Sequence, residues 1–564
     1  MNKYQEYAPQ KRKVAYFSFE IGLSEEMPVY AGGLGILAGD TIKSFADLGV
    51  PVVALSLLNE KGYFYQVIDG DGNQLENPVN WDHSQHMRLL SEKVTVNLEG
   101  RDVLLQAWVH EVDGIGGHKI PVLFLDSNIK TNDPEDRKLT SHLYGGDSRY
   151  RFKQEAILGI GGVRMLQVLD HDNLVAYHMN EGHSALLSLE LMDRYENDIE
   201  RVRELCVFTT HTPVPAGHDR FERKLVETVL GDYVEYSSLD HDDILDEDER
   251  LNMTHLALYH SKYINGVAKM HGEVAQEMFP EYNIEAITNG IHPPTWVSEP
   301  MAKVFDKHIP PWRIDPYVMR FALRIPGQDV WNAHATAKKN LIDFVNKHYK
   351  TDLDYDTMTI GFGRRATAYK RPDLLLTDTD RLLAMAEREG GIQVIYGGKA
   401  HPKDTEGKKL LKKIIQEMRE LSGKINMIYL NNYDMYSAKL LVSGSDLWLN
   451  TPLRPLEASG TSGMKAAVNG VLNFSVLDGW WIEGHIEDFT GWSIGPSPEE
   501  LNEVEDHGQD AEDLYQKLED RIIPMYYGNR GRWIKMMVNN IAFNGSYFNT
   551  HRMVSQYVVN AYFQ

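Results

Sequence analysis

Twice along this chain a short, almost wholly apolar run is followed by a glycine- or cation-rich loop, helical stretches and further apolar runs. In the first half, residues 14–19 lead past Pro28 and Gly32-Gly33-Leu34-Gly35 into a stretch with Ile42, Phe45, Ala46 and Leu48 on one side. Gly49 ends that stretch, and residues 50–58 are again nearly all apolar. Strands without polar alternation are buried on both faces, which means a parallel sheet covered by helices. A second series begins at 358–362 and continues at 393–396, 426–430, 446–450 and 471–476, with helical stretches such as 407–421 between most of them. At 564 residues the chain exceeds what one hydrophobic core serves. Two doubly wound α/β domains facing each other across a cleft are therefore expected, with residues 286–294 and their prolines near the boundary. Residues 59–126 read as antiparallel: 94–98 and 103–109 flank Glu99-Gly100, a hairpin signal. Asp69-Gly-Asp-Gly-Asn73 lacks the glycine and terminal acid of a calcium loop, and is read as a turn. A helical stretch over 532–564 closes the series.

Charge narrows the partners. A formal net charge of −23 argues against nucleic acid and anionic membrane, so a phosphate-bearing ligand needs a local basic cluster. Cys206 alone excludes an intramolecular disulfide and suits a reducing compartment; it opens an apolar run, as a buried structural thiol does. No stretch approaches the roughly 18 apolar residues of a membrane helix. Residues 14–20, after Lys11-Arg12-Lys13, are short and end in an acid. They read as a first strand and not a signal peptide, so a cytoplasmic protein is expected. The acidic run 240–250 reads as a solvated loop.

Polar residues just past strand ends mark ligand edges in open α/β sheets. Gly33-x-Gly35-x-x-Ala38 matches a dinucleotide fingerprint only loosely. It reads as a loop approaching a phosphate or sugar, a structural turn being the alternative. Asn180-Glu181-Gly182-His183 and His211-Thr212-Pro213 follow two further strands. His178, His183, His211 and His218 match no standard ligand spacing, so no metal site is expected. Arg364-Arg365-Ala-Thr-Ala-Tyr369-Lys370-Arg371 places four cations within eight residues at a strand end, a surface patch or an anion site. In Glu457-Ala-Ser-Gly-Thr-Ser-Gly-Met-Lys465 small residues enter a helix over 464–468, closed by Asn469-Gly470. Such an entrance favours anions. Lys465 is then either an ordinary solvated lysine or an amine tied to a phosphorylated cofactor.

Glu457-Ala-Ser-Gly-Thr-x-x-Met-Lys465 together with Arg-Arg-x-x-x-Tyr-Lys-Arg at 364–371 resembles the α-glucan (glycogen, starch, maltodextrin) phosphorylases. So do Gly32-Gly-Leu-Gly35, Lys153-Gln-Glu155, His211-Thr212, Thr288-Asn-Gly-Ile291 with Trp296, Gly397-Gly-Lys-Ala400 and Asp478-Gly479. The resemblance, to a short bacterial or archaeal type, runs over most of the chain. It implies a GT-B fold: an N-terminal Rossmann-like domain over 1–297, a cofactor-binding domain over 298–545, and a helix over 546–564 crossing back. It implies pyridoxal 5′-phosphate in Schiff-base linkage to Lys465, with the cofactor's phosphate as proton donor and acceptor. The activity implied is reversible, retaining phosphorolysis of terminal α-1,4-glucosidic bonds, giving α-D-glucose 1-phosphate. Two adjacent phosphates repel, so cations and backbone N–H groups must be concentrated around them.

By the same resemblance, Arg365 and Lys370 are ligands of substrate phosphate, and the His211 carbonyl lies near the reacting sugar. Arg364, Thr461, Ser462, Gly33 and Trp296 serve the cofactor. Asn289, Tyr433, Glu457, Ser459, Gly460, Gly32 and Glu181 serve the glucan. A homodimer is the family's habit. Three positions depart from the pattern: Gly22 stands where larger members carry an aromatic, Glu181 replaces an aspartate, and Arg364 stands where lysine is frequent. The chain is shorter than most members and shows no counterpart of the phosphorylation segment of the regulated animal enzymes, so control of that kind is not expected. The alternatives are a GT-B sugar-nucleotide transferase of glycogen-synthase type and a non-catalytic glucan-binding protein. Synthases typically carry a lysine two positions before the glycine pair, where Tyr30 stands here. Simple glucan binding needs none of Lys465, Arg365 and Lys370.

Overall fold

The computed structural model describes residues 3–231, 244–388, 390–497 and 507–563. The chain forms two compact units, one of Met1–Phe64, Pro78–Thr288 and Met553–Gln564, the other of Tyr65–Asn77 and Asn289–Arg552. Residues 240–243 of the acidic run lie outside the described residues, and the remainder of the run is mostly turn and bend. Among the described residues no helix is long and apolar enough to cross a membrane.

The first unit is built on a nine-stranded sheet. Its order is Ile284–Ala286, Tyr263–Gly266, Cys206–Thr209, Ala176–Asn180, Val14–Ser18, Val52–Leu57, Lys119–Asp126, Arg101–Asp113 and Arg88–Leu98. The first seven run parallel, and Arg101–Asp113 pairs antiparallel with both of its neighbours, Lys119–Asp126 and Arg88–Leu98. Every residue of Val14–Ser18 and Val52–Leu57 is buried. Ala15 and Phe17 enter one core and Val14 and Tyr16 the other, which explains the lack of polar alternation. The two antiparallel strands turn through Glu99 and Gly100 at φ 56° and 72°, both left-handed, as a two-residue type I′ hairpin requires. Helix Gly33–Asp47 buries Ile42, Phe45 and Ala46, but Leu48 is 40% exposed, beyond the last helical turn and off the apolar face expected for it.

Two side chains from the 553–563 segment complete this unit. The Tyr562 hydroxyl bonds His178 Nδ1 at 2.6 Å, and the Tyr557 hydroxyl bonds Thr209 Oγ1 at 3.1 Å. Polar groups on central strands are thereby satisfied without water. The helical stretch expected over 532–564 is broken: Arg530–Asn540 continues through Ile541–Gly545, and Thr550–Tyr557 starts afresh.

The second unit carries six parallel strands in the order Asn426–Leu430, Ile392–Gly397, Met358–Gly363, Leu447–Asn450, Leu472–Val476 and Gly491–Ile494. Numbered along the chain this is 3-2-1-4-5-6, the doubly wound order. The sixth strand, Gly491–Ile494, is an addition to the five read from the sequence. So is the placement of Tyr65–Ile68 and Gln74–Asn77, which pair only with each other. Gln66 donates to Gly398 O at 2.9 Å, and Gln74 donates to Ala400 O and accepts from Ala400 N, both at 2.9 Å. The turn between the hairpin's strands is organised by Asp69, which accepts from the Asp71 and Asn73 amides.

Both sheets reverse winding direction at one point. In the first unit this lies between Val14–Ser18 and Ala176–Asn180, in the second between Met358–Gly363 and Leu447–Asn450. The carboxyl ends of strands at such points form a ready-made crevice.

Candidate active site

Past the end of Val14–Ser18 the chain reaches Glu20, a buried carboxylate. It accepts from the Ala31 amide at 2.5 Å, the Gly32 amide at 3.2 Å and the Tyr144 hydroxyl at 2.9 Å. The glycine loop is thus pinned from beneath, and Gly33 stays exposed with no atom within 4 Å of where a Cβ would lie. The helix it opens descends on Gly22, whose amide donates to Gly35 O at 2.7 Å. A Cβ on Gly22 would stand 2.9 Å from Ile36 Cδ1, so an aromatic cannot stand there in this packing.

Across the winding reversal, Glu181 holds φ 76°, a left-handed conformation costly for a non-glycine residue. Its carboxylate sustains it by accepting from the Gly182 amide at 3.0 Å, the His211 amide at 2.8 Å and the Thr212 hydroxyl at 3.0 Å. Burial pushes the Glu181 carboxyl up, against those donors. His211 Nε2 donates to Asn180 Oδ1 at 2.7 Å, and burial holds the imidazole neutral, down to about 3. Glu181 and His211 are therefore one bonded turn. His178, buried, and His183, largely buried, are likewise held near 3 by desolvation.

In the second unit the basic segment begins where strand Met358–Gly363 ends. Arg364 Nε donates to Asn450 Oδ1 at 2.7 Å, across the winding reversal. Its Nη1 donates to Glu457 Oε2, and its Nη2 reaches Ser462 Oγ at 3.4 Å. Lys370 Nζ meets the same oxygen of Glu457. Burial alone would raise the Glu457 carboxyl, but Lys370 and Arg364 outweigh it and hold it at about 2. Arg365, between them in sequence, is exposed.

Loop 457–460 is clamped from below. Asp478 accepts from the Glu457 amide at 2.9 Å and the Gly479 amide at 2.8 Å, while the Trp480 amide donates to Ser459 O at 2.9 Å. Burial, with Glu457 nearby, pushes the Asp478 carboxyl up to about 7. Gly460 takes φ 74°, and a Cβ there would stand 3.2 Å from Arg364 Nη2.

The following helix, Ser462–Val468, carries Lys465 inward. Its side chain is only about a tenth exposed or less, with Nζ 3.9 Å from the centre of the Trp296 ring. Asn469 fixes that pair by donating to both Trp296 O and Lys465 O at 2.9 Å. Thr461 caps the helix without a side-chain bond. Tyr433 packs on Gly363 and Gly397, at the carboxyl ends of two strands. Asn289 leaves Oδ1 buried without a hydrogen-bond partner.

Of the residues singled out from sequence, Arg364, Lys370, Glu457, Gly460 and Ser462 come together, as do Lys465 and Trp296. Gly32, Gly33, Glu181 and His211 belong to the first unit. Asn450 and the clamp role of Asp478 were not foreseen. An asparagine closing an apolar strand was the available signal for the first, while nothing in the spacing links 478 to 457.

The molecule is thus a mixed α/β protein whose doubly wound parallel sheet carries, at its winding reversal, a cation–carboxylate cluster near a buried lysine. It belongs to the carbohydrate phosphorylase family, whose model matches residues 163–523. The maltodextrin phosphorylase of Thermococcus litoralis is 40% identical over 99% of this chain and 71% of its own length. Glycogen phosphorylases of Mycobacterium tuberculosis and Aquifex aeolicus are 35% and 33% identical, over 97% and 100% of this chain and 70% and 88% of their own.

Proposed function

We propose that the protein catalyses reversible, retaining phosphorolysis of terminal α-1,4-glucosidic bonds of a glucan by inorganic phosphate, releasing α-D-glucose 1-phosphate. The observation that carries this reading is the cluster of Arg364, Lys370 and Glu457 at the winding reversal, near the buried Lys465 on Trp296. Simple sugar binding requires neither the cations nor the lysine.

The residues fit pyridoxal 5′-phosphate. The amine of Lys465 is buried on an aromatic face, Gly460 leaves room beside Arg364 that a Cβ would fill, and Asn450 Nδ2 is buried without a partner. When bound, that group supplies a phosphate whose pKa near neutrality lets it donate and accept a proton at pH 7. Lys465 would hold it through the amine with Trp296 beneath. Arg364, Thr461, Ser462 and Gly33 would neutralise and cradle its phosphate. Arg365 and Lys370 would bind inorganic phosphate, which protonates the leaving oxygen and then attacks the oxocarbenium-like carbon on the same face. Asn289, Tyr433, Glu457, Ser459, Gly460 and Gly32 would orient the sugar and Glu181 the acceptor side. The His211 carbonyl would face the developing positive charge.

The finer architecture belongs to this reading as well: two GT-B halves in a cytoplasmic homodimer, their bounds following the two compact units, with the change at 288/289 in place of 297/298, residues 65–77 in the second half, and the return to the first at 552/553 in place of 545/546. The test is the near-ultraviolet and visible absorbance of the purified protein together with phosphorolysis of a maltodextrin. Lys465→Ala should lose both the chromophore and the activity. A colourless wild type that stays inactive after addition of pyridoxal 5′-phosphate would refute the proposal.

A further inference from the structure

Arg364 and Lys370 do not merely neighbour Glu457; both converge on one of its two oxygens, Oε2. All three side chains are almost buried, at 7%, 11% and 10% exposure. Buried cations need a counter-charge, since a buried charge left uncompensated is strongly destabilising. Here the counter-charge is a residue expected to bind sugar. Two features leave the carboxylate free to turn without disturbing its surroundings. The backbone of Glu457 is fixed independently by Asp478, and Arg364 is held independently by Asn450 at 2.7 Å. A phosphate dianion brought to Lys370 would stand within a few ångströms of the carboxylate, and like charges that close in a shielded site repel strongly.

We propose that Glu457 is the site's internal counter-ion. It neutralises Lys370 until inorganic phosphate arrives, then turns away from Lys370 and accepts from a glucan hydroxyl. Phosphate and glucan binding are thereby coupled, each favouring the conformation the other needs, and the coupling is reciprocal. The inference rests on the reading of Lys370 as a phosphate ligand and Glu457 as a sugar ligand.

The test uses sulfate, which occupies a phosphate site without reacting, and a short maltooligosaccharide. Both are titrated by calorimetry into the cofactor-loaded protein. In the wild type, saturating oligosaccharide should tighten sulfate binding by about fivefold or more. Glu457→Gln should bind sulfate about tenfold more tightly than wild type without oligosaccharide, because no carboxylate competes, and the coupling factor should fall to about one. Glu457→Asp, which keeps the charge, should bind sulfate within about threefold of wild type. The idea is overturned if Glu457→Gln binds sulfate no more tightly than wild type, if it retains the coupling, or if Glu457→Asp is strengthened as much as the glutamine variant. Lys370→Met separates the two layers. Loss of its sulfate binding supports the phosphate site, whereas unchanged binding overturns the proposed function of Lys370 and this inference with it.

Discussion

Glu457 and Asp478, joined by one amide hydrogen bond, are pulled in opposite directions. The Glu457 carboxyl sits at about 2, so its contribution to stability is present above the ordinary carboxylate range and is lost as pH falls towards that value. Asp478 sits at about 7, above its unfolded value, so the folded protein holds an extra proton between roughly pH 4 and 7. Stability from this group therefore declines as pH rises through that window, by at most about 1.4 kcal/mol per pH unit. Asp478→Asn should remove the decline: the variant's melting temperature, relative to wild type, should rise steadily from pH 4.5 to 7.5. A constant difference across that range would mean that Asp478 is ionised throughout. Neither direction is readable from residue type. Both carboxylates look alike in sequence; what separates them is that Lys370 and Arg364 outweigh burial at Glu457, whereas at Asp478 burial and the neighbouring Glu457 charge outweigh the pull of Lys370.

At the scale of elements, the hairpin Tyr65–Asn77 acts as a brace on the loop after strand Ile392–Gly397. That loop in turn supports the basic segment, since the Arg364 amide donates to Gly397 O at 3.0 Å and the Ala366 amide to Lys399 O at 3.1 Å. Gln74→Leu would strand the Ala400 amide and carbonyl, at a cost of about 1–3 kcal/mol for each unmet buried group. Hydrogen exchange should accelerate at residues 364–366 and 398–400 while strand Val14–Ser18 keeps its protection. Equal acceleration in both places would point to global destabilisation instead. The parallel strands, the Glu99-Gly100 turn and the helix bearing Lys465 were legible because each is specified by its own residues: apolar runs, left-handed positions, small residues before a helix. The hairpin's destination was not. Gln66 and Gln74 carry no local sign that their partners lie 332 and 326 positions away. The strand Gly491–Ile494 escaped for a related reason, being four residues long with tryptophan and serine in alternation, too short to show a period.

At the scale of the molecule, the chain passes between its two units four times, at 64/65, 77/78, 288/289 and 552/553. No single cut yields either unit whole. A fragment ending at Arg552 would leave His178, Thr209 and Asn265 without the hydroxyls of Tyr557 and Tyr562. Protection should fall in strands Ala176–Asn180 and Cys206–Thr209 while Met358–Gly363 is unaffected. Retention of full protection in the truncated form would show that the tyrosines are dispensable. The same wiring bears on how the protein is made. Tyr562 lies 384 positions after His178, and ribosomes add about 5–20 residues per second. The central strands of the first unit must therefore wait on the order of 20–80 seconds for their hydroxyl partners, by that elongation rate. During vectorial synthesis the second unit can close before the first is complete, and the nascent first unit is the stretch a chaperone would have to shield.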